Sequence, residues 1–190
     1  LRIFPPQAPP LIFDAEDQKA AWELHGANCG PGAIAGLCGE TPQAIVARLG
    51  QKFQKLGGTT EVMVRNVLTE LNIPWTDAPP GWVDYGLLRI QWDGPWIKDP
   101  DPFEKHRHSH WVGVATCGLP HIMIFDINAI SVGGWVSLPE WDDFLRPWLL
   151  ETCEPSAFGP WSISDAIRID PLKCGQNKET PCRSFVPSTP

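Results

Sequence analysis

The stretch Ala27-Asn28-Cys29-Gly30-Pro31-Gly32-Ala33-Ile34-Ala35 places a cysteine where a turn rich in Asn and Gly meets a run of small residues. Pro31 suits the first turn of a helix, where its missing N–H costs nothing. A thiol at a helix N-terminus faces unpaired backbone N–H groups and the positive end of the helix dipole, and both favour the thiolate. The pattern therefore predicts a helix from Cys29 to about Cys38, with Cys29 as a candidate nucleophile. The competing interpretation is a small buried hydrophobic residue, which is the common role of a free cysteine.

The composition is that of a globular protein. The chain has 190 residues, of which 43% are hydrophobic and 19% charged, and one domain of this length can bury a sizeable core. A net charge of -7 disfavours a nucleic-acid partner. No apolar run approaches the roughly 18–20 residues that a membrane span needs. Six cysteines without a disulfide rhythm favour reduced thiols and a cytoplasmic location, with a secreted or processed form left open.

The chain divides into three segments by composition. Residues 1–16 are a Pro-rich arm, expected to lie extended over the domain surface. Residues 17–170 are the domain itself. Residues 171–190 are polar and contain prolines, as expected of a surface tail, and they hold Cys174 and Cys182, which could pair in an oxidising compartment.

The order of predicted elements indicates an α+β fold. Caps and apolar spacing predict helices over 14–24, 29–38, from Thr41-Pro42 to Gly57-Gly58, and from Thr59 or Thr60 to Pro74. Residues 76–86 are predicted to be a loop, 87–92 a strand, and 111–116 with 121–126 a hairpin. A strand over 131–137, a helix over 138–150 and a short strand over 166–169 follow. Helices first and antiparallel strands afterwards define the α+β class.

The predicted hairpin brings a histidine and an aspartate together. His110 begins the first strand, and Asp126 ends the second, so the two should be neighbours across the ladder. A carboxylate beside an imidazole fixes its tautomer and stabilises its charged form. With Cys29, the chain holds a thiol, a base and an orienting carboxylate. Asn128 is the alternative orienter.

The motifs Asn28-Cys29-Gly30-Pro31, His110-Trp111-Val112-Gly113-Val114 and Asp126, in this order, resemble the papain-like cysteine peptidases. Within that superfamily they look most like a stand-alone bacteriocin-leader (double-glycine) peptidase. The separations are 81 residues from Cys29 to His110 and 16 from His110 to Asp126. The resemblance, over roughly residues 17–137, implies a helical lobe bearing the nucleophile, packed on an antiparallel sheet bearing His and Asp.

One position departs from that family. The family has a glutamine six residues before the nucleophile, whose amide donates to the oxyanion, and here the position holds Glu23. An ionised carboxylate cannot donate a hydrogen bond. Glu23 could act when protonated, or the donor could be Asn28, His25 or Gln18, or the backbone N–H of Cys29 alone.

The resemblance implies cleavage of a peptide or protein substrate, at small residues in an extended segment, without a cofactor. The alternatives are an acyltransferase, transglutaminase-like or deamidase-like enzyme on the same scaffold, and a non-catalytic peptide-binding homologue. His106 and His108 lie in a charged loop and are expected to be solvated. No spacing typical of zinc ligands is present, so no metal is expected. The oligomeric state stays open.

Overall fold

The structure, a computed structural model, describes residues 5, 8–26, 29–99, 101, 106–116 and 121–170. Its helices, in chain order, are α1 (Ala15–His25), α2 (Cys29–Cys38), α3 (Pro42–Leu56), α4 (Glu61–Glu70), α5 (Leu138–Glu140) and α6 (Arg146–Thr152). A π-helical segment (Trp141–Leu145) joins α5 to α6, and two 3-10 helices cover Pro95–Lys98 and Ile127–Val132. The strands are β1 (Trp75–Ala78), β2 (Tyr85–Trp92), β3 (Ser109–Thr116), β4 (Ile122–Phe125), β5 (Trp135–Ser137) and β6 (Trp161–Ile169).

The first four helices begin where the sequence predicts. Asp14 caps α1 by accepting from the N–H groups of Glu16 and Asp17, and the Asp17 side chain accepts in return from the N–H of Asp14. Thr41 and Thr60 cap α3 and α4 in the same way through their hydroxyl groups. These contacts satisfy N–H groups that have no partner within the helix. The predicted starts of α1, α3 and α4 are therefore confirmed, whereas α4 ends at Glu70 and not at the predicted Pro74.

The strands form one antiparallel sheet in the order β1-β6-β2-β3-β4-β5. The predicted hairpin is confirmed as β3 and β4, with Gly113 opposite Phe125 and Thr116 opposite Ile122. Helices followed by an antiparallel sheet confirm the α+β class. Because β3 starts and β4 ends at the same end of the sheet, His110 and Asp126 lie together there.

Three predicted segments differ from the structure. The strand predicted at 131–137 is limited to Trp135–Ser137, because Ile127–Val132 is a 3-10 helix. The predicted loop at 76–86 begins with a strand, since Trp75–Ala78 pairs with β6. The short last strand predicted at 166–169 is nine residues long and lies between β1 and β2. The errors at 76–86 and at 166–169 share one cause, because the pairing partner that makes 75–78 a strand lies about ninety residues further along the chain.

The sheet is covered on both faces. One core joins α2, α3 and α4 to side chains such as Leu87, Trp111 and Ala115. The other core joins the π-helical segment and α6 to the alternate positions, among them Leu88, Ile90, Val112 and Val114. Successive strand residues point to opposite faces, so His110 and Asp126 share the face of Val112 and Ile124.

The small residues of α2 let it approach the sheet closely. A Cβ atom placed on Gly32 would lie 2.6 Å from Cγ1 of Ile127, well inside van der Waals contact. Gly36 lies in the same way against the ring of Phe125. Both partners flank Asp126, so this contact fixes the helix that begins at Cys29 next to the carboxylate.

The ends of the chain are described in part. Phe13 is buried and packs edge-on against Phe125, with ring centroids 6.5 Å apart. The tail at 171–190, with Cys174 and Cys182, lies outside the described residues. Among the helices that the structure describes, none has the length and apolar character needed to cross a membrane.

Candidate active site

Cys29 is the first residue of α2, as the sequence predicts. It is partly exposed and lines a cleft of about 140 Å³. The remainder of α2 is buried, so the thiol marks the point where this helix reaches the surface. The backbone N–H of Trp111 donates a hydrogen bond to the thiol sulfur, which favours its ionised form.

His110, the second residue of β3, lies between the thiol and Asp126. Its Nε2 is 2.8 Å from Oδ2 of Asp126. The side chain of His110 also hydrogen-bonds Cys29, and Nδ1 is the ring nitrogen that remains for this contact. The ring is buried and stacks on Trp92 with centroids 6.5 Å apart. The imidazole is thus held in one orientation between an acceptor and a thiol.

Asp126 is fully buried and accepts four hydrogen bonds. Oδ2 accepts from His110 and, at 2.9 Å, from Nε1 of Trp141. Oδ1 accepts from the backbone N–H of Asn128 at 3.0 Å and from its side-chain Nδ2 at 2.9 Å. A buried charge is tolerated when it is paired and hydrogen-bonded in this way.

The three groups shift one another's pKa. Burial raises the pKa of the Cys29 thiol, but the hydrogen bond and charge of His110 and the N–H of Trp111 outweigh it, so the pKa is lowered. Burial lowers the pKa of His110, but the charge and hydrogen bond of Asp126, with those of Cys29, raise it well above 6.5. Burial raises the pKa of Asp126, and His110, Trp141 and Asn128 bring it below its usual value. The shifts favour a thiolate beside an imidazolium.

The imidazole of His110 hydrogen-bonds Asp126, and Asn128, the alternative orienter, hydrogen-bonds the same carboxylate. Asn128 therefore supports the carboxylate that holds His110. It also lines the cleft, and only one N–H of its side-chain amide is needed for the bond to Asp126.

Glu23 lies on the exposed side of α1, with its Oε1 3.8 Å from Nζ of Lys19. It does not line the cleft, where α1 instead contributes Trp22. This position corrects the expectation that Glu23 stands at the oxyanion position, because an exposed carboxylate keeps its hydration and points away from the thiol. Asn28 lies outside the described residues. Gln18 and His25 are described and are half-buried on α1, and neither lines the cleft.

His106 and His108 differ from each other. His106 is exposed, as expected. His108 is half-buried, because its ring stacks on Trp96 with centroids 3.6 Å apart and its Nδ1 lies 2.8 Å from Oε2 of Glu154. The expectation that His108 is solvated is therefore wrong. Among the residues that the structure describes, no group of three or more His, Cys, Asp or Glu side chains is placed to hold a metal ion.

The cleft also contains residues that the sequence pattern does not single out. They are Trp22, Trp92, Ser109, Leu149, Cys153 and Glu154. Leu149, Cys153 and Glu154 come from the far face of the sheet through α6 and the turn after it, and no local signal reveals that approach. The four-residue spacing of Leu149 and Cys153 does predict that they lie on one side of a helix, but it does not indicate what that side faces.

The arrangement can hold a nucleophilic sulfur in its ionised form and can move a proton through a fixed imidazole. In comparisons with family models, curated proteins and solved structures, no match to this chain was found.

Proposed function

We propose that this protein is a cysteine peptidase with a papain-like arrangement of Cys29, His110 and Asp126. The observation that carries the proposal is the continuous hydrogen-bonded chain from a cleft-lining thiol at a helix N-terminus through a buried imidazole to a fully buried carboxylate. A nucleophile, a base in contact with it and a third group that orients the base form the pattern of covalent catalysis. The resemblance of the three sequence motifs to the bacteriocin-leader peptidases supports the same assignment.

In the proposed reaction, Sγ of Cys29 attacks the carbonyl carbon of the scissile bond. The imidazolium of His110 then gives its proton from the nitrogen facing the thiol to the leaving amine, and a thioester remains on Cys29. Water attacks the thioester while the now neutral His110 takes a proton from it, which restores the thiolate and imidazolium. Asp126 stays ionised throughout and holds the ring.

The oxyanion of each tetrahedral intermediate needs donors near the thiol. The backbone N–H of Cys29, at the start of α2, is one candidate. Trp22 and Asn128 also line the cleft and carry side-chain N–H groups. We assign the second donor to one of these two, in place of the glutamine of the related peptidases.

The substrate class rests on the resemblance. The related peptidases cut extended peptides after paired glycines, so we propose small residues at the scissile bond of an extended segment.

The test is to incubate the protein with peptide libraries, with and without an added primary amine, and to read the products by mass spectrometry. Hydrolysed peptides whose formation requires Cys29 are the expected result, with Cys29→Ala inactive and Cys38→Ala, which removes a thiol buried at the other end of α2, as the matched control. Amine-linked products in place of hydrolysis would assign the thioester to acyl transfer. Absence of any Cys29-dependent product or covalent intermediate would refute the proposal.

A further inference from the structure

Glu154 places a carboxylate in the wall of the cleft that holds Cys29. It follows directly after α6, and its N–H bonds the carbonyl oxygen of Leu149, which extends the helical hydrogen bonding to this residue. Its side chain is 16% exposed, and it lines the cleft together with Cys29 and His110. The sequence of α6 alone gives no reason to expect an acidic group beside the thiol.

The carboxylate is held in place from one side only. Oε2 of Glu154 accepts from Nδ1 of His108 at 2.8 Å, and His108 is in turn stacked on Trp96. Trp96 is fixed through its Nε1, which donates to the carbonyl oxygen of Trp92 at 2.9 Å. An ionised carboxylate accepts at about four positions on its two oxygens. Within the described part of the chain, His108 is the one side chain that hydrogen-bonds Glu154, so accepting positions remain for a ligand.

The surroundings favour a cation at those positions. No Lys or Arg side chain is among the described residues that line the cleft, and the positive charge of His110, which does line it, is paired with Asp126 and Cys29. Three large apolar side chains, Trp22, Trp92 and Leu149, line the cleft together with Glu154. A charge pair formed in such partly desolvated surroundings is stronger than one in open solvent.

The size of the cleft restricts what binds there. Its volume, about 140 Å³, is below the roughly 300–1,000 Å³ of typical small-molecule pockets. It therefore has room for one side chain or one chain end of a longer substrate that continues outside the cleft.

We propose that Glu154 is the specificity-determining residue of this cleft, and that it selects substrates that place a positively charged nitrogen beside the scissile bond. The nitrogen belongs either to a Lys or Arg side chain or to a free α-amino terminus. This inference rests on the proposed peptidase function for the identity of the ligand as a peptide. The charge preference of the cleft is independent of that function, because it follows from Glu154 and its surroundings.

The experiment compares matched peptide libraries with one fixed position, which holds either Lys or its uncharged isostere norleucine. Each library is made with a free and with an acetylated N-terminus, so that the two sources of the cation are separated. Cleavage by the wild type is measured as kcat/KM by mass spectrometry, and binding to Cys29→Ala is measured by competition. We expect the charged member of a pair to be preferred about ten- to 100-fold, as for a hydrogen bond to a charged partner.

Glu154→Gln should remove that preference, so that the charged and uncharged members of each pair are cleaved and bound about equally. The amide keeps an oxygen that can accept from His108, so the wall of the cleft is retained. Glu151→Gln is the matched control, because it removes the same charge from an exposed position three residues earlier. It should leave the preference unchanged.

The outcomes separate the two proposals. Equal handling of Lys and norleucine in cleavage and in binding, or a preference that survives Glu154→Gln, overturns the inference and leaves the peptidase proposal standing. Binding that depends on Glu154 without any cleavage supports the charge-selective cleft and refutes the peptidase. A preference that Glu151→Gln abolishes equally would assign it to the overall charge of the chain, and would also overturn the inference.

Discussion

Replacing Asp126 with Asn is expected to damage both the fold and the site, because every accepting position of this carboxylate faces a donor. Oδ2 receives N–H groups from His110 and Trp141, and Oδ1 receives two from Asn128. An asparagine amide has only one oxygen, so its NH₂ group must face one of these two pairs. If the NH₂ group faces His110 and Trp141, a neutral His110 can accept from it, but the Trp141 N–H loses its acceptor. If it faces Asn128, the side-chain amide of Asn128 can turn over and accept from it, but the backbone N–H of Asn128 loses its acceptor.

The size of the effect follows from these contacts. One buried donor without a partner costs about 1–3 kcal/mol, and the loss of charge from the bond to His110 adds about 1 kcal/mol, so unfolding should require about 2–4 kcal/mol less. Catalysis should fall by about 10²-fold or more, towards the ~10⁴-fold cost of the same replacement in a serine hydrolase triad. Urea unfolding gives the first quantity, and kcat/KM for a cleaved peptide gives the second.

The pH dependence gives a third measurement with a defined sign. Folding raises the pKa of His110, so its charged pairing stabilises the fold fully below the ordinary histidine value and the contribution is lost as pH rises through the raised value. In the proposed mechanism, the same pKa sets the alkaline limb of activity. Without the Asp126 carboxylate, the pKa of His110 should fall, and the alkaline limb should move to lower pH.

Asp143→Asn is the matched control, since Asp143 is an exposed carboxylate in the π-helical segment. It should behave as the wild type in all three measurements. Wild-type stability together with an unmoved alkaline limb in Asp126→Asn would refute the assignment of Asp126 as the partner that holds and charges His110.

Three further predictions concern the thiol, the exposed glutamate and the packing of α2. Cys29 should react with iodoacetamide at neutral pH before Cys153, although Cys153 is the more exposed. The reason is that the pKa of Cys29 is lowered, whereas burial raises that of Cys153. Peptide mapping by mass spectrometry checks the order, and faster labelling of Cys153 would contradict it. Glu23→Gln should leave the height and shape of the pH–rate profile unchanged, because Glu23 lies outside the cleft, and a rise in rate at higher pH would restore it to the oxyanion position. In Gly32→Ala, overpacking against Ile127 should cost about 1–3 kcal/mol, and better helix propensity should return up to about 1 kcal/mol, so the free energy of unfolding should fall by up to about 2 kcal/mol. Thermal unfolding measures the change, and a stabilised variant would show that α2 can shift on the sheet to accept the methyl group.

The local parts of the site could be predicted from the sequence. Caps and apolar spacing predict α1, α3 and α4, and the stretch of Asn and Gly around Cys29 predicts the thiol at the start of α2. The hairpin brings His110 and Asp126 together, with one refinement. The observed register, extended by one residue, sets Asp126 opposite Val112, so His110 is its diagonal neighbour.

The parts that could not be predicted depend on contacts between distant segments. Trp141 donates to Asp126 because the π-helical segment packs on the face of the sheet that carries His110 and Asp126, and nothing near either residue in the chain indicates this. Glu154 reaches the cleft through the same packing. The position of Glu23, six residues before Cys29, makes it one candidate for the oxyanion donor, but the rotation of α1 decides which of its side chains faces the cleft, and that side chain is Trp22.

The placement of the thiol and the imidazole in different layers has a consequence for when the protein can react. Cys29 begins a helix that packs on one face of the sheet, whereas His110 shares the alternate side with Trp92. The lowered pKa of the thiol therefore exists only while the two layers are docked, and an unfolded or partly assembled chain carries a thiol of ordinary reactivity. By thermodynamic reciprocity, ionisation of the thiol must also tighten the docking of α2. The proposed nucleophile thus has its lowered pKa only when α2 is docked on the sheet, so the proposed chemistry belongs to the folded chain alone.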